Sequence, residues 1–278
     1  MSLQLQQNIE TCMYGDEHAN VRLFQEDCLT FMDFLLSSCP EVRFDMIFAD
    51  PPYFLSNDGI TCHAGKMVSV NKGKWDKSEG AVQNHEFTLA WLSRCQSLLK
   101  QKGTLWVSGT HHIIHSVGFA MQLLGFKILN DIVWRKPNPP PNLSCRYFTH
   151  STETVIWAAK DEKSRHYFNY DLMKSINGGK QMKSVWDFTA PGKPEKTLGK
   201  HPTQKPIALL ERILLASTQE NDLVFDPFTG SGTTGVAAVK LGRRFVGCEI
   251  DESFAHLASM RLHQASKTLQ TSLEGFNL

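Results

Sequence analysis

At 278 residues with 41% hydrophobic composition, the chain is long enough for one large α/β domain and apolar enough for a real core, which excludes disordered and collagen-like classes. A formal charge of +1 does not by itself announce a polyanionic partner. No apolar stretch approaches the ~20 residues that span a bilayer, and Met1 to Asn8 lacks a basic segment followed by a hydrophobic block, so a soluble, cytoplasmic chain with no membrane partner is expected.

In chain order, apolar runs predict strands over 21–24, 44–49, 103–108, 128–134, 154–158, 223–225 and 244–248. Helical spacing predicts helices over 28–36, 85–99, 113–124, 205–217, 233–241 and 253–266, the second patterned by Phe87, Ala90, Trp91 and Leu98. This alternation predicts an α/β fold with a mostly parallel seven-stranded sheet flanked by helices. Two stretches break the rhythm. Residues 54–78, rich in Gly, Asn, Ser and Lys, read as a lid or binding loop anchored by Trp75. Residues 161–200 mix Tyr167, Phe168, Tyr170 and Trp186 with lysines such as Lys180 and Lys183, and read as a recognition insert. Across 135–205 thirteen cations stand against six carboxylates, an excess that fits either a solvated face or a phosphate-binding surface to which Arg146 would contribute. The run Pro137 to Pro141 is a rigid bend after a strand.

Two turns carry chemistry. Asp50-Pro51-Pro52-Tyr53 ends the apolar run from Phe44, and two prolines make a stiff turn that presents a carboxylate, a backbone carbonyl and an aromatic face at the sheet's rim. Those groups suit a planar, amino-bearing base. Downstream, Gly230-Ser-Gly232-Thr233-Thr-Gly235 matches G-x-G-x-x-G, with Glu249 at the end of the following strand. A dinucleotide site, an adenosyl amino acid site and a plain strand-to-helix connection capped by Thr233 and Thr234 all remain open. Asp226-Pro-Phe228-Thr separates strand from glycine, a longer turn than dinucleotide folds use, and supplies a carboxylate for an ammonium group. Glu249 offers two oxygens to ribose hydroxyls. With no G-K-[ST], a phosphate-cradling loop is not expected. Seven cysteines without a C-x-x-C pair read as reduced thiols, and His111, His112 and His115 lack an acidic companion at zincin spacing, so no metal is expected.

With Asp50-Pro-Pro-Tyr53 ahead of Asp226-Pro-Phe-Thr-Gly-Ser-Gly232, and His201-Pro-Thr-Gln-Lys-Pro206 before the helix leading to the glycine strand, the chain resembles the beta class of bacterial DNA amino-methyltransferases. The likeness runs from about Val21 to His263. In detail it resembles the GATC adenine methyltransferases of DpnII-type restriction systems, through segments 49–56, 142–154 and 166–173. The resemblance implies a permuted Rossmann-like methyltransferase fold within a single domain, 1–278, with a catalytic half over 20–160, a target-recognition insert over 161–200 and a cofactor half over 201–266. It implies S-adenosylmethionine bound by Asp226, Phe228, Gly230, Gly232 and Thr233, with Glu249 on the ribose. Asp27 and Cys28 would lie against the adenine, and His201, Thr203 and Lys205 near the ribose and methionine carboxylate. The family commonly forms dimers, and a cognate restriction endonuclease acts on the same site in such systems.

The expected reaction is methyl transfer to the adenine N6 amino group. Asp50 would accept one amino hydrogen and the Pro51 carbonyl the other, Tyr53 would stack on the flipped base with Phe54 in support, and the loop around Trp75 would close. Duplex DNA is the expected substrate, and single-stranded DNA also suits a mechanism in which an unpaired base needs no extrusion. Transfer to the cytosine N4 amino group is the nearest alternative, since it poses the same geometric and electronic problem; its sites more often begin with serine in the family pattern, so Asp50 favours adenine. Methylation of RNA or protein, a noncatalytic DNA-binding module and a nicotinamide oxidoreductase explain fewer of the residues.

Overall fold

The computed structural model describes residues 12–17, 20–56, 60–63, 66–69 and 76–275. Strand β1 (Cys12–Asp16) precedes β2 (Val21–Gln25), and α1 (Cys28–Ser38) starts at Asp27, whose carboxylate accepts the Leu29 and Thr30 amides at 3.0 Å each. Strand β3 (Phe44–Ala49) leads to a hairpin of β4 (Ile60–His63) and β5 (Lys66–Ser69), then to α2 (Ala81–Leu98) and β6 (Leu99–Gly109). Next come α3 (Ile114–Leu123), β7 (Lys127–Arg135), β8 (Thr152–Ala159), α4 (Tyr170–Ile176) and β9 (Val185–Asp187). The chain closes with α5 (Ile207–Ser217), β10 (Leu223–Asp226), α6 (Thr233–Lys240), β11 (Arg244–Glu249) and α7 (Glu252–Gly275).

Nine strands form one sheet in the order β1-β2-β11-β10-β3-β6-β8-β7-β9. Only β1 and β8 run against the common direction. The seven strands expected from the sequence make its contiguous centre, and β1 and β9 extend its two edges. Both faces are covered, so alternate residues of one strand enter different cores: Phe44 and Ile47 pack with α1, α2 and α3, Met46 and Phe48 with α5, α6 and α7. Chain order reverses between neighbours β10 and β3, since β3 is followed outward by β6 and β10 by β11. A crevice opens beyond strand ends at such a point.

Several boundaries differ from the sequence reading. Stretch 54–78 carries the antiparallel β4–β5 hairpin rather than only irregular loop, and Trp75 lies outside the described residues. Stretch 161–200 contributes α4 and β9, and β9 joins the main sheet beside β7. Its Trp186 is buried 6.2 Å from Trp106, which stacks on Trp157 at 4.8 Å. A three-residue strand and a seven-residue helix are too short to show a period. Among the described residues no helix is long and apolar enough to cross a membrane.

The β3–β6 pairing is irregular: Phe44 faces Leu99, and Met46 already faces Thr104. Gly103 makes this fit, because a Cβ there would stand 2.8 Å from the Phe44 carbonyl oxygen and 3.1 Å from that of Lys100. Gly103→Ala is therefore expected to destabilise the fold by about 1–3 kcal/mol, measured as a lower urea midpoint with an unchanged slope.

Candidate active site

The ends of β2, β3, β10 and β11 bring four acidic turns to one cavity at the reversal point. Glu26, Asp27 and Cys28 form one wall, Asp50 to Tyr53 another, and Asp226 to Ser231 with Thr233 and Glu249 the floor. His201, Thr203 and Lys205 close it from the segment preceding α5, and Phe87 and Phe254 add apolar surface. Phe54 packs edge-on to Phe87, just behind the lining. Arg146, Lys180 and Lys183 are exposed and lie outside the cavity.

The glycine turn is fixed from three sides. Gly230 and Gly232 have φ of +53° and +77°, and a Cβ on Gly230 would stand 3.2 Å from His201 Nε2. The Gly230 amide donates to Glu249 Oε2 at 2.7 Å, and the Asp251 amide to Glu249 Oε1 at 2.9 Å. Glu249 thus anchors the turn, and each oxygen retains a second lone pair. Burial raises its carboxyl above the ordinary range. Gly232 caps α6 without a side-chain bond, so the threonines do not act as caps: Thr234 Oγ1 donates to Asp226 Oδ2 at 2.6 Å, while Thr233 Oγ1 accepts from Arg261 at 3.0 Å. Asp226 also accepts the Phe228 amide at 3.0 Å, and burial pushes its carboxyl up to about 7. Phe228 is wedged edge-on to Trp91 at 5.5 Å. Asp27 is engaged as the α1 cap, and burial followed by the Asp27 charge raises the Cys28 thiol. Reactive thiolate chemistry is disfavoured at such a group.

The proline turn rests on Asp76, a fully buried carboxylate that no sequence pattern marks. It accepts the amides of Tyr53, Phe54 and Leu55 at 2.9, 2.8 and 3.2 Å and the Ser56 hydroxyl at 2.9 Å. Phe54 takes φ +57°, a conformation held by these bonds. Tyr53 is only 6% exposed, and its hydroxyl donates to Asp50 Oδ1 at 2.7 Å. Its ring lines the cavity, yet its first task is to hold Asp50. Burial, then Asp50 and Glu153, push its phenol well above the ordinary range.

Lys205, expected near the ribose and methionine carboxylate, lines the cavity and is paired with Asp50 Oδ2, with Tyr53 OH 3.3 Å and Glu153 Oε2 3.8 Å away. Burial opposes its charge, but Asp50, Glu153 and Asp226 outweigh that and hold the ammonium above its ordinary range. Glu153, at the start of β8, pairs through Oε1 with Lys136. Burial opposes its charge too, and Lys205 and Lys136 keep its carboxyl below the usual range. Neither Glu153 nor Lys136 was singled out in the sequence, where Glu153 sits among Ser151, Thr152 and Thr154 ahead of an apolar strand.

With this geometry in view, comparison with known proteins gives the family. Residues 44–260 match the DNA methylase family of N6 and N4 enzymes, and the chain belongs to that family. It is 50% identical over 261 residues to the type II methyltransferase M2.MboI of Moraxella bovis, covering 94% of each chain. It is 57% identical over 236 residues to M2.DpnII of Streptococcus pneumoniae, covering 84% of this chain and 88% of that one. Among solved structures, the M1.HpyAVI–SAM complex superposes with a TM-score of 0.67 at 28% identity, over 87% of this chain and 98% of the other.

The raised Asp226 carboxyl has a measurable consequence. Its value in the folded chain exceeds the ordinary 3.8, so the stability it contributes is fully present at low pH and is lost as pH rises toward about 7. Asp226→Asn keeps the shape without the buried charge. Its urea midpoint relative to the parent should climb across that window and stay level above it.

Proposed function

We propose that the protein transfers a methyl group to the N6 amino group of adenine in DNA, within GATC. The coarser statement stands on the family: the chain is a DNA methyltransferase that uses S-adenosylmethionine. The observation carrying the finer reading is Asp50, an acidic residue rather than serine, held at the cavity rim ahead of two prolines and beside the glycine turn. GATC rests on the resemblance of segments 49–56, 142–154 and 166–173.

The donor set fits the cofactor. Asp226 suits an ammonium group, Glu249 retains acceptor capacity for ribose hydroxyls, and the Gly230 cradle would be narrowed by a Cβ. When bound, S-adenosylmethionine supplies an electrophilic methyl on a sulfonium. The chain's residues do the rest by orientation. An adenine amino nitrogen is a poor nucleophile because its lone pair is delocalised. Asp50 accepts a hydrogen bond from one of its hydrogens and the Pro51 carbonyl from the other, which draws the nitrogen toward tetrahedral geometry. As the nitrogen gains the methyl and the S–CH3 bond breaks to leave a thioether, one amino proton departs through Asp50 to solvent. Tyr53 fixes Asp50 and presents its ring to the base, with Phe54 behind it. The target nucleotide must leave the duplex to reach this depth.

In this reading residues 20–160 carry the catalytic half, 161–200 target recognition and 201–266 the cofactor half. Arg146, Lys180 and Lys183 are exposed and available to phosphates. A dimer and a nuclease acting on the same site belong to the proposal through the family resemblance.

Labelled methyl transfer to duplexes carrying GATC, a scrambled site or a GATC already methylated on adenine tests the reading. Methylated adenine from the unmodified GATC duplex alone is expected, and Asp50→Ala should abolish transfer while retaining cofactor binding. Methylated cytosine would replace adenine by the N4 alternative.

A further inference from the structure

Asp50 faces two demands that compete. As the acceptor for the target amino group it must present a carboxylate oxygen, yet in this structure Oδ1 accepts Tyr53 OH at 2.7 Å and Oδ2 is paired with Lys205. A carboxylate bonded to an ammonium is a weaker acceptor, because the cation already holds its charge. Lys205, 6% exposed, cannot simply withdraw, since a buried ammonium needs a carboxylate.

A second carboxylate stands within reach. Glu153 Oε2 lies 3.8 Å from Lys205 Nζ and 3.4 Å from Tyr53 OH, whose proton is directed at Asp50. Its other oxygen is tied to Lys136, whose ammonium also sits 4.7 Å from the Trp134 ring centroid. Glu153 is therefore fixed, buried and turned toward Lys205. Ser108 Oγ lies 3.5 Å from Tyr53 OH at this end. The network holds two carboxylates and two ammonium groups, so Lys205 can change partners without a change in net charge.

We propose that Glu153 is a positioning residue for methyl transfer: anchored by Lys136, it receives Lys205 from Asp50 when the target amino group docks, and so releases an Asp50 oxygen to accept the amino hydrogen. The inference rests on the amino-methylation reading above. Glu153 touches no reacting atom in this scheme. It acts through Lys205 and Tyr53. The charged groups facing Lys205 are Asp50, Glu153 and Asp226, and those facing Glu153 are Lys205, Lys136 and the Tyr53 phenol.

The test compares the full-length parent with Glu153→Gln, Glu153→Asp and Lys136→Met. It uses single-turnover transfer against pH, S-adenosylmethionine affinity by calorimetry, and NMR titration of the Lys205 side chain in 13Cε-lysine-labelled protein. Glu153→Gln is expected to lower the transfer rate by about 100-fold while cofactor affinity stays within about twofold. Lys205 loses one of the carboxylates that hold its proton, so its titration should move to lower pH. Glu153→Asp should recover part of the rate. Lys136→Met removes a cation that keeps Glu153 ionised, so the acid limb should move to higher pH. A Glu153→Gln protein with parental rate and an unmoved Lys205 titration overturns the proposal, as does one whose cofactor affinity falls as far as its rate. If the parent methylates no DNA amino group, the functional reading fails; the Lys205 titration still decides whether Glu153 partners that lysine.

Discussion

A buried ammonium must have a carboxylate, and the Lys205–Asp50 pair joins positions 155 apart in the chain. One partner ends a strand of the first half and the other precedes the helix that opens the second. Such a pair adds little net stability against well-packed apolar residues, but leaving either member alone is costly. Its effect is registration: the segment with His201 and Thr203 can approach the proline turn in essentially one way. The cavity takes its shape from that approach. His201 then sits edge-on to Phe254 at 4.2 Å and stands over Gly230, where only glycine leaves room.

The rim of the cavity is acidic. Glu26, Asp27, Asp50, Asp226 and Glu249 all line it, and among the described lining residues Lys205 is the sole lysine or arginine. Backbone amides and caps bind several of these carboxylates, which keeps the turns rigid, while Asp226 shows the remaining strain as a raised carboxyl. Such a wall prefers a ligand with positive charge. A sulfonium meets that preference and the thioether left after methyl loss does not, so the same electrostatics that favour the donor favour release of its product.

Most of the frame was legible because it is periodic. Seven strands and six helices follow from apolar spacing, and the two turns from proline and glycine, whose backbone restrictions are local. What escaped is non-local. Asp76 lies within the poorly patterned stretch before α2, yet it holds the proline turn; Glu153 and Lys136 are polar positions among other polar residues at strand ends. Their importance depends on which distant residue the sheet places opposite them. The role read into Lys205 came from the resemblance and from ligand chemistry, neither of which showed that Asp50 pairs with that ammonium. Tyr53 teaches the same lesson, since its hydroxyl, not only its ring, is committed. Thr233 and Thr234, helix caps only in the plain-connection alternative, bond to Arg261 and Asp226.

Strand β2 pairs along its length with β11, and at their ends Cys248 Sγ lies 3.1 Å from the Glu26 carbonyl oxygen across 222 positions. The flank that carries Glu26 and Asp27 thus waits for almost the whole polypeptide. During synthesis the first half emerges with β2 and β3 lacking the two strands that separate them, β11 and β10. Loop closure over such a span is slow, and unpaired strand edges invite association with other chains. A chain cut short before β11 would carry the proline turn complete in sequence and yet have an open sheet at its middle, with the edge of β2 left unpaired where β11 belongs.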